Sequence, residues 1–289
     1  MQSHICLHNK NAQLFFPNSQ CPEEAFTGIT HLGIGAHQDD LEFHALHGIL
    51  ECFETGSFAG ITCTNGSGCA RTDSYKDVSD QEMAIIRQQE QNLAATIGRY
   101  RLMAQLDYSS NTIRDVNNTN LRDDLKVLLE AIRPTAVYTH NLADKHLTHV
   151  AVALRVIESL RLLPKDIRPK KLYGFEAWRN LDWLPDDEKV LLDVSSRTNL
   201  SAALAGVFDS QIGGGKRYHL AIEGRRLANA TMIDAYTPDK QTHLSYATDL
   251  TPLIIDDTLD PLEHTLQSIR RFEDEVRNSF RKCLEQKSP

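Results

Sequence analysis

The chain has 289 residues, 41% hydrophobic and 24% charged, enough to bury one large core and ordinary for a globular fold. Its net charge is −8 and it has no lysine- or arginine-rich run, which argues against a nucleic-acid or anionic-membrane partner, since both need a concentrated basic footprint. No window reaches the roughly 20 apolar residues of a membrane span, and the stretch MQSHICLHNKNAQLFF lacks the basic start and apolar core of a secretory signal.

Cys6, Cys21, Cys52, Cys63, Cys69 and Cys283 are scattered without a C-x-x-C pair. They read as reduced thiols, and the expected compartment is the cytoplasm. Strand-like and helix-like segments then alternate. THLGIGA is a short apolar strand, and DDLEFHALHGILECFE has helical periodicity as one segment. FAGITCT is the next strand, and SDQEMAIIRQQEQNLAATIG is a helix capped near Ser79 and ended by Gly98. Along it Met83, Ile86, Leu93 and Ile97 predict a buried stripe that includes Glu90. NLRDDLKVLLEAI is a helix, TAVYTH a strand, HVAVALRVIESLRLL a helix stopped by Pro164, and KKLYGFEAW a strand. This rhythm predicts an α/β fold with a mainly parallel sheet and helices on both faces.

After Trp183 the pattern turns helical, and Leu262, Leu266, Ile269, Phe272, Val276, Phe280 and Leu284 mark an amphipathic closing helix. The expectation is one domain, residues 1–289, with its core at about 28–185 and a helical C-terminal extension at about 186–289. No linker or internal repeat divides it.

The chemistry concentrates where the first strand ends, in GIGAHQDDLEFHALHG. A dinucleotide fingerprint would need a third glycine at position 38, where Gln38 stands. Metal binding suits the residues better. His37 and Asp40 lie three apart at a helix start, so their side chains can converge. Asp39, beside them, could accept a proton from a water on the ion. The bland reading is that Asp39 and Asp40 only balance the helix dipole. His44 reads as a supporting or packed histidine.

A third ligand is expected from YTHNLADKHLTHVAV, which follows a second strand at the same rim of the sheet, where ligands collect in open α/β folds. His149 is the expected ligand. His146 could contact an oxyanion or protonate a leaving amine, and His140 and Asp144 could fix imidazole tautomers from behind. His/Asp/His donors suit zinc and also ferrous iron.

With both pieces in view, the chain resembles the PIG-L/LmbE-like family of metal-dependent N-deacetylases. The family's A/P-H-P-D-D motif reads AHQDD here, its H-P-D-H motif reads HLTH, and its R-x-x-E pair is Arg87 and Glu90. The resemblance runs from about residue 28 to 160. It implies a Rossmann-like fold, a zinc ion held by His37, Asp40 and His149, Asp39 as base, and His146 assisting the oxyanion or the amine. It also implies removal of an N-acetyl group from an N-acetylglucosamine-type sugar or glycoconjugate. Gln38 and Thr148 depart from the motifs, and Thr148 reads as a helix cap. The weighed alternatives are another amide or ester hydrolase, or a non-catalytic sugar- or metal-binding protein.

Three further assignments rest on position. Arg87 either pairs with Glu90 one turn away or faces sugar hydroxyls or a phosphate. Arg71, in the loop NGSGCARTD, is a second substrate contact, and Trp178 or Trp183 could stack on a sugar ring. IGGGK lacks the earlier glycine and the final Ser or Thr of a phosphate loop, and no G-x-S-x-G elbow occurs. The expected partner is a small-molecule amino sugar or glycoconjugate, with assembly into a homo-oligomer left open.

Overall fold

A computed structural model describes residues 5–17 and 22–285. Cys21, read above as a reduced thiol, lies outside the described residues. The other five cysteines are free.

Among the described residues eight strands form one sheet: β1 (Gln13–Phe15), β2 (His31–Gly35), β3 (Phe58–Thr64), β4 (Leu102–Tyr108), β5 (Ala136–His140), β6 (Lys171–Phe175), β7 (Lys189–Asp193) and β8 (Leu244–Asp249). Their order is β1-β4-β3-β2-β5-β6-β8-β7. The run from β4 to β6 is parallel, with Leu32 opposite Ala59 on one side and Val137 on the other. β1 joins one edge antiparallel and the β8–β7 pair extends the other antiparallel. β3 and β5 are buried at every position, which is why they read as continuous apolar runs.

The helices are α1 (Pro22–Ala25), α2 (Asp40–His44), α3 (Leu46–Cys52), α4 (Asp80–Ile97), α5 (Ser110–Arg114), α6 (Asn120–Ile132), α7 (Leu147–Arg161), α8 (Thr198–Gly206), α9 (Asp209–Ile212), α10 (Tyr218–Met232), α11 (Pro252–Ile255) and α12 (Pro261–Glu285). α6 and α7 cover one sheet face through Leu125, Leu128, Leu129, Val152, Val156 and Leu160. α2, α3, α4 and α8 cover the other through Leu41, Leu46, Ile49, Ala94, Leu200 and Leu204. Each layer buries the apolar stripe that the sheet face requires.

Three expectations need correction, and two strands were not foreseen. The helix expected from residue 39 onward is broken at Ala45 into α2 and α3. The segment 186–289 is not purely helical, because β7 and β8 complete the sheet from within it. β1 and β4 carried too few β-branched residues to be recognised. In α4 the capping box of Ser79 and Glu82 is present, but Leu93 is half exposed and the buried face is Met83, Arg87, Glu90, Gln91, Ala94 and Ala95. That helix turns polar side chains inward because each meets a buried partner: Asp39 for Arg87, Ser210 for Glu90 and Glu42 for Gln91.

Among the described residues no helix is long and apolar enough to cross a membrane.

Candidate functional site

β2 and β5 are neighbours at the point where the strand order reverses, so the loops leaving their carboxyl ends open a crevice between them. His37, Gln38 and Asp39 occupy the first loop, and Asp144 and His146 the second. Gly35 permits the close turn, since a Cβ there would stand 2.8 Å from the Cβ of Asp40. The Asp40 carboxylate then accepts the His37 backbone N–H at 2.6 Å.

The expected ligands meet. His37 Nδ1 lies 3.4 Å from Asp40 Oδ2, His149 Nε2 lies 3.7 Å from Asp40 Oδ1, and the two imidazole nitrogens are 3.3 Å apart. Donors about 2.1 Å from a tetrahedral ion stand about 3.4 Å from each other; the His37 and His149 nitrogens have that spacing, while each faces a different oxygen of Asp40. With one donor atom taken from each residue, two triads close within 4.8 Å, and both contain His149: one with His37 and His146, the other with Asp40 and His140. His140 is fully buried and its Nε2 accepts the Ala36 N–H at 2.8 Å. The same nitrogen stands 3.3 Å from Asp40 Oδ2, and the ring stacks 3.9 Å from that of His149, so His140 lies against both residues. Asp144 Oδ2 accepts from His149 Nδ1 at 3.0 Å, leaving Nε2 facing the other donors. His44 packs edge-on to His140 and His149 and stacks on Phe175.

Burial lowers the pKa of His37, takes His140 to about 3, and takes His146 to about 4 with help from the neighbouring His149 and His37. These rings are therefore neutral, the form that ligates metal. Burial works against the charge of Asp40, yet His149 and His140 hold its carboxyl well below the usual range. Burial likewise opposes the charge of His149, but Asp40 and Asp144 raise its pKa overall.

Asp39 differs from its neighbour. Burial pushes its carboxyl well above the usual range, with Arg87 opposing and Asp40 and Glu42 adding to the rise. It precedes α2 but makes no side-chain capping bond. Its carboxylate instead faces Arg87 at 3.3 Å, which removes the dipole-only reading of this residue. Arg87 also donates to the Gln38 carbonyl. Gly66, at φ 68°, lets the chain pass, since a Cβ there would strike the Gln38 amide and the Arg87 side chain.

These groups form one end of a cavity of about 770 Å³. His37, Asp39, Asp40, Arg87, His146, Thr148, His149 and Trp178 all line it. Trp178 lies nearly parallel to His146, with ring centres 6.4 Å apart. Other expectations are displaced. Arg71 is not among the lining residues: its guanidinium binds the carbonyls of Ser67 and Val78 and the Asp80 carboxylate, holding the loop to the start of α4. Glu90 does not pair with Arg87 but accepts from the Ser210 N–H at 2.7 Å and hydroxyl at 2.6 Å, fastening α9 to α4. Thr148 makes no capping bond, because His146 is the residue that precedes α7. Trp183 donates to Glu176 and does not line the cavity.

The sequence reading passed over Asn65, Ser109, Asn111, Arg114, Gln211 and Tyr218, which complete the cavity wall. The first four follow the carboxyl ends of β3 and β4. Recognition of β4 would have placed them at the same rim.

Residues 32–160 match the family described as PIG-L: GlcNAc-PI de-N-acetylase. A search of curated proteins finds no match. Among solved structures, the chain is similar to a conserved protein from Thermus thermophilus (18% identity, TM-score 0.61, covering 78% of this chain and 96% of that one). It is also similar to the N,N′-diacetylchitobiose deacetylase of Pyrococcus horikoshii (17%, 0.61, 83% and 90%). A third likeness is to the 4-carboxy-2-hydroxymuconate hydratase of Pseudomonas putida (15%, 0.57, 76% and 96%). At such identities the structural likeness establishes a shared fold.

Proposed function

We propose that this chain, whose residues 32–160 match the PIG-L family, is a metal-dependent hydrolase that removes the N-acetyl group from an N-acetylglucosamine-type sugar or glycoconjugate. The observation that carries this reading is the meeting of His37, Asp40 and His149 within 3.3–3.7 Å, with Asp39 beside them on the cavity wall. The family's activity and the chitobiose deacetylase of the same fold support the substrate class.

His37, Asp40 and His149 would hold zinc, or ferrous iron, which suits the same donors. Such an ion acidifies water and polarises an amide carbonyl. Asp39 takes the proton of the attacking water, and its raised affinity for a proton suits a base that must also pass that proton on. Arg87 fixes the direction of that carboxylate. His146, neutral and at the cavity wall, donates a hydrogen bond to the developing oxyanion or assists the departing amine. The C–N bond breaks as the nitrogen is protonated, giving acetate and a free amine. Trp178 offers a flat face for a sugar ring.

Acetate release from a panel of N-acetylglucosamine derivatives, measured with bound metal quantified, tests the reading. Asp39→Asn is expected to lower turnover by about 10²–10⁴-fold while metal content stays unchanged. Wild-type-like turnover in that variant removes Asp39 as the base. The same fold carries a hydratase, so acetate release, not metal content, decides the reaction. Metal binding with no acetate release across the panel would favour a binding protein.

A further inference from the structure

α12 runs for 25 residues and reaches beyond what it packs against. Its first part is tied down by Arg271, which binds Asp187 and Glu188. From Phe272 to Leu284 every side chain is exposed. On this free part Phe272, Val276, Phe280 and Leu284 recur at helical spacing and share one face, and Ser279 and Cys283 lie on the same stripe. A contiguous exposed apolar stripe marks a surface that is covered in the working molecule.

The charges indicate what covers it. Five acidic and five basic side chains balance along the helix, so it lacks the basic excess that holds an amphipathic helix on an anionic membrane. Glu275 and Lys282 lie seven residues apart and each precedes a stripe residue, Val276 and Cys283. They therefore occupy the same flank of the stripe. When two copies run antiparallel about a two-fold axis between Asn278 and Ser279, Glu275 of each faces Lys282 of the other. The same axis sets Val276 against Phe280 and Phe272 against Cys283 and Leu284. One register thus satisfies both the charge and the apolar pattern.

We propose that the protein forms a two-fold homodimer through antiparallel pairing of α12 over residues 272–284. The register predicts which residues meet. Cys283 lies four to five residues from the axis, so its two copies are about 13 Å apart along the helices, too far for a disulfide. Position 279 lies next to the axis, where its two copies face each other.

Sedimentation of the full chain over a concentration series is expected to give a species of twice the chain mass. Glu275→Lys and Lys282→Glu should each raise the dissociation constant severalfold to about tenfold, by turning two attractive pairs into repulsive ones, and the double variant should restore it. Under mild oxidation the native chain should stay uncrosslinked, whereas Ser279→Cys in a Cys283→Ser background should form a covalent dimer. A monomer at every concentration overturns the proposal, as does a dimer indifferent to both charge reversals and to Val276→Asp. Crosslinking through native Cys283 overturns the antiparallel register, because it is the signature of a parallel pair. Recovery only with a different protein bound to α12 overturns the second copy as its occupant.

Discussion

Asp39 adopts φ 95°, a left-handed conformation that costs a non-glycine residue about 1–2 kcal/mol. The Gln91 side chain accepts its N–H at 3.2 Å and Arg87 faces its carboxylate, both from α4. The strain separates two adjacent aspartates: Asp40 turns to the histidines and Asp39 to the arginine. Three residues on, Glu42 is fully buried, accepting from Tyr100 at 2.7 Å and Gln91 at 2.9 Å. Burial nevertheless raises its pKa from 4.5 to about 7, against those hydrogen bonds. The folded protein therefore binds a proton at Glu42 that the unfolded chain releases above pH 4.5. This group's contribution to stability falls as pH rises from about 4.5 to 7 and stays low above that. The 2.5-unit difference between those values corresponds to about 3 kcal/mol. Glu42→Gln, which mimics the protonated acid, should remove most of this dependence. Denaturant unfolding at about pH 5 and about pH 8 measures it, and equal pH slopes in both proteins would refute the assignment.

At the scale of elements, side-chain pairs between distant segments set the architecture. Asp124 on α6 is fully buried and accepts from the His8 N–H at 2.7 Å, the His8 ring at 2.8 Å and the Tyr108 hydroxyl at 2.6 Å. This one carboxylate joins the N-terminal segment, β4 and α6. Asp124→Ala leaves those donors without their acceptor and is expected to cost about 3 kcal/mol, read by urea unfolding, with faster proteolysis of the residues before β1. A loss below the error of the measurement would mean that water replaces the carboxylate freely. Glu90 with Ser210 and Tyr75 with Asp209 do the same for α9, bringing Gln211 to the cavity wall. Helix ends marked by Ser79, Gly98 and Pro164 were legible because capping and termination are local. The β7–β8 pair was not, because short strands of this kind are recognisable only by the neighbours they pair with.

For the whole molecule, the site couples the two halves of the sheet. β2 with α2 supplies His37 and Asp40, and α7 after β5 supplies His149. An ion shared by them would bind the folded chain and not the unfolded one, so it would stabilise by mass action. Dialysis against a chelator is expected to lower the melting temperature by several degrees, with recovery on adding zinc or ferrous iron. His149→Ala should show neither the loss nor the recovery. A melting temperature unaffected by chelation in protein shown to have held metal would separate the site from stability.

The AHQDD and HLTH segments, the strands before them and the amphipathic character of residues 262–284 could be read from the chain itself, because each depends on residues within a few positions of one another. Spacing of three along a helix start brings donors together whatever surrounds them, and apolar runs between turn residues specify buried strands. What required the folded chain was every choice among distant partners: Arg87 with Asp39 instead of Glu90, Glu90 with Ser210, Arg71 turned back to its own loop, and His140 engaged by Ala36. Those choices depend on which buried charge each group meets once the helices lie on the sheet, and burial strengthens such encounters far beyond what a linear spacing can signal.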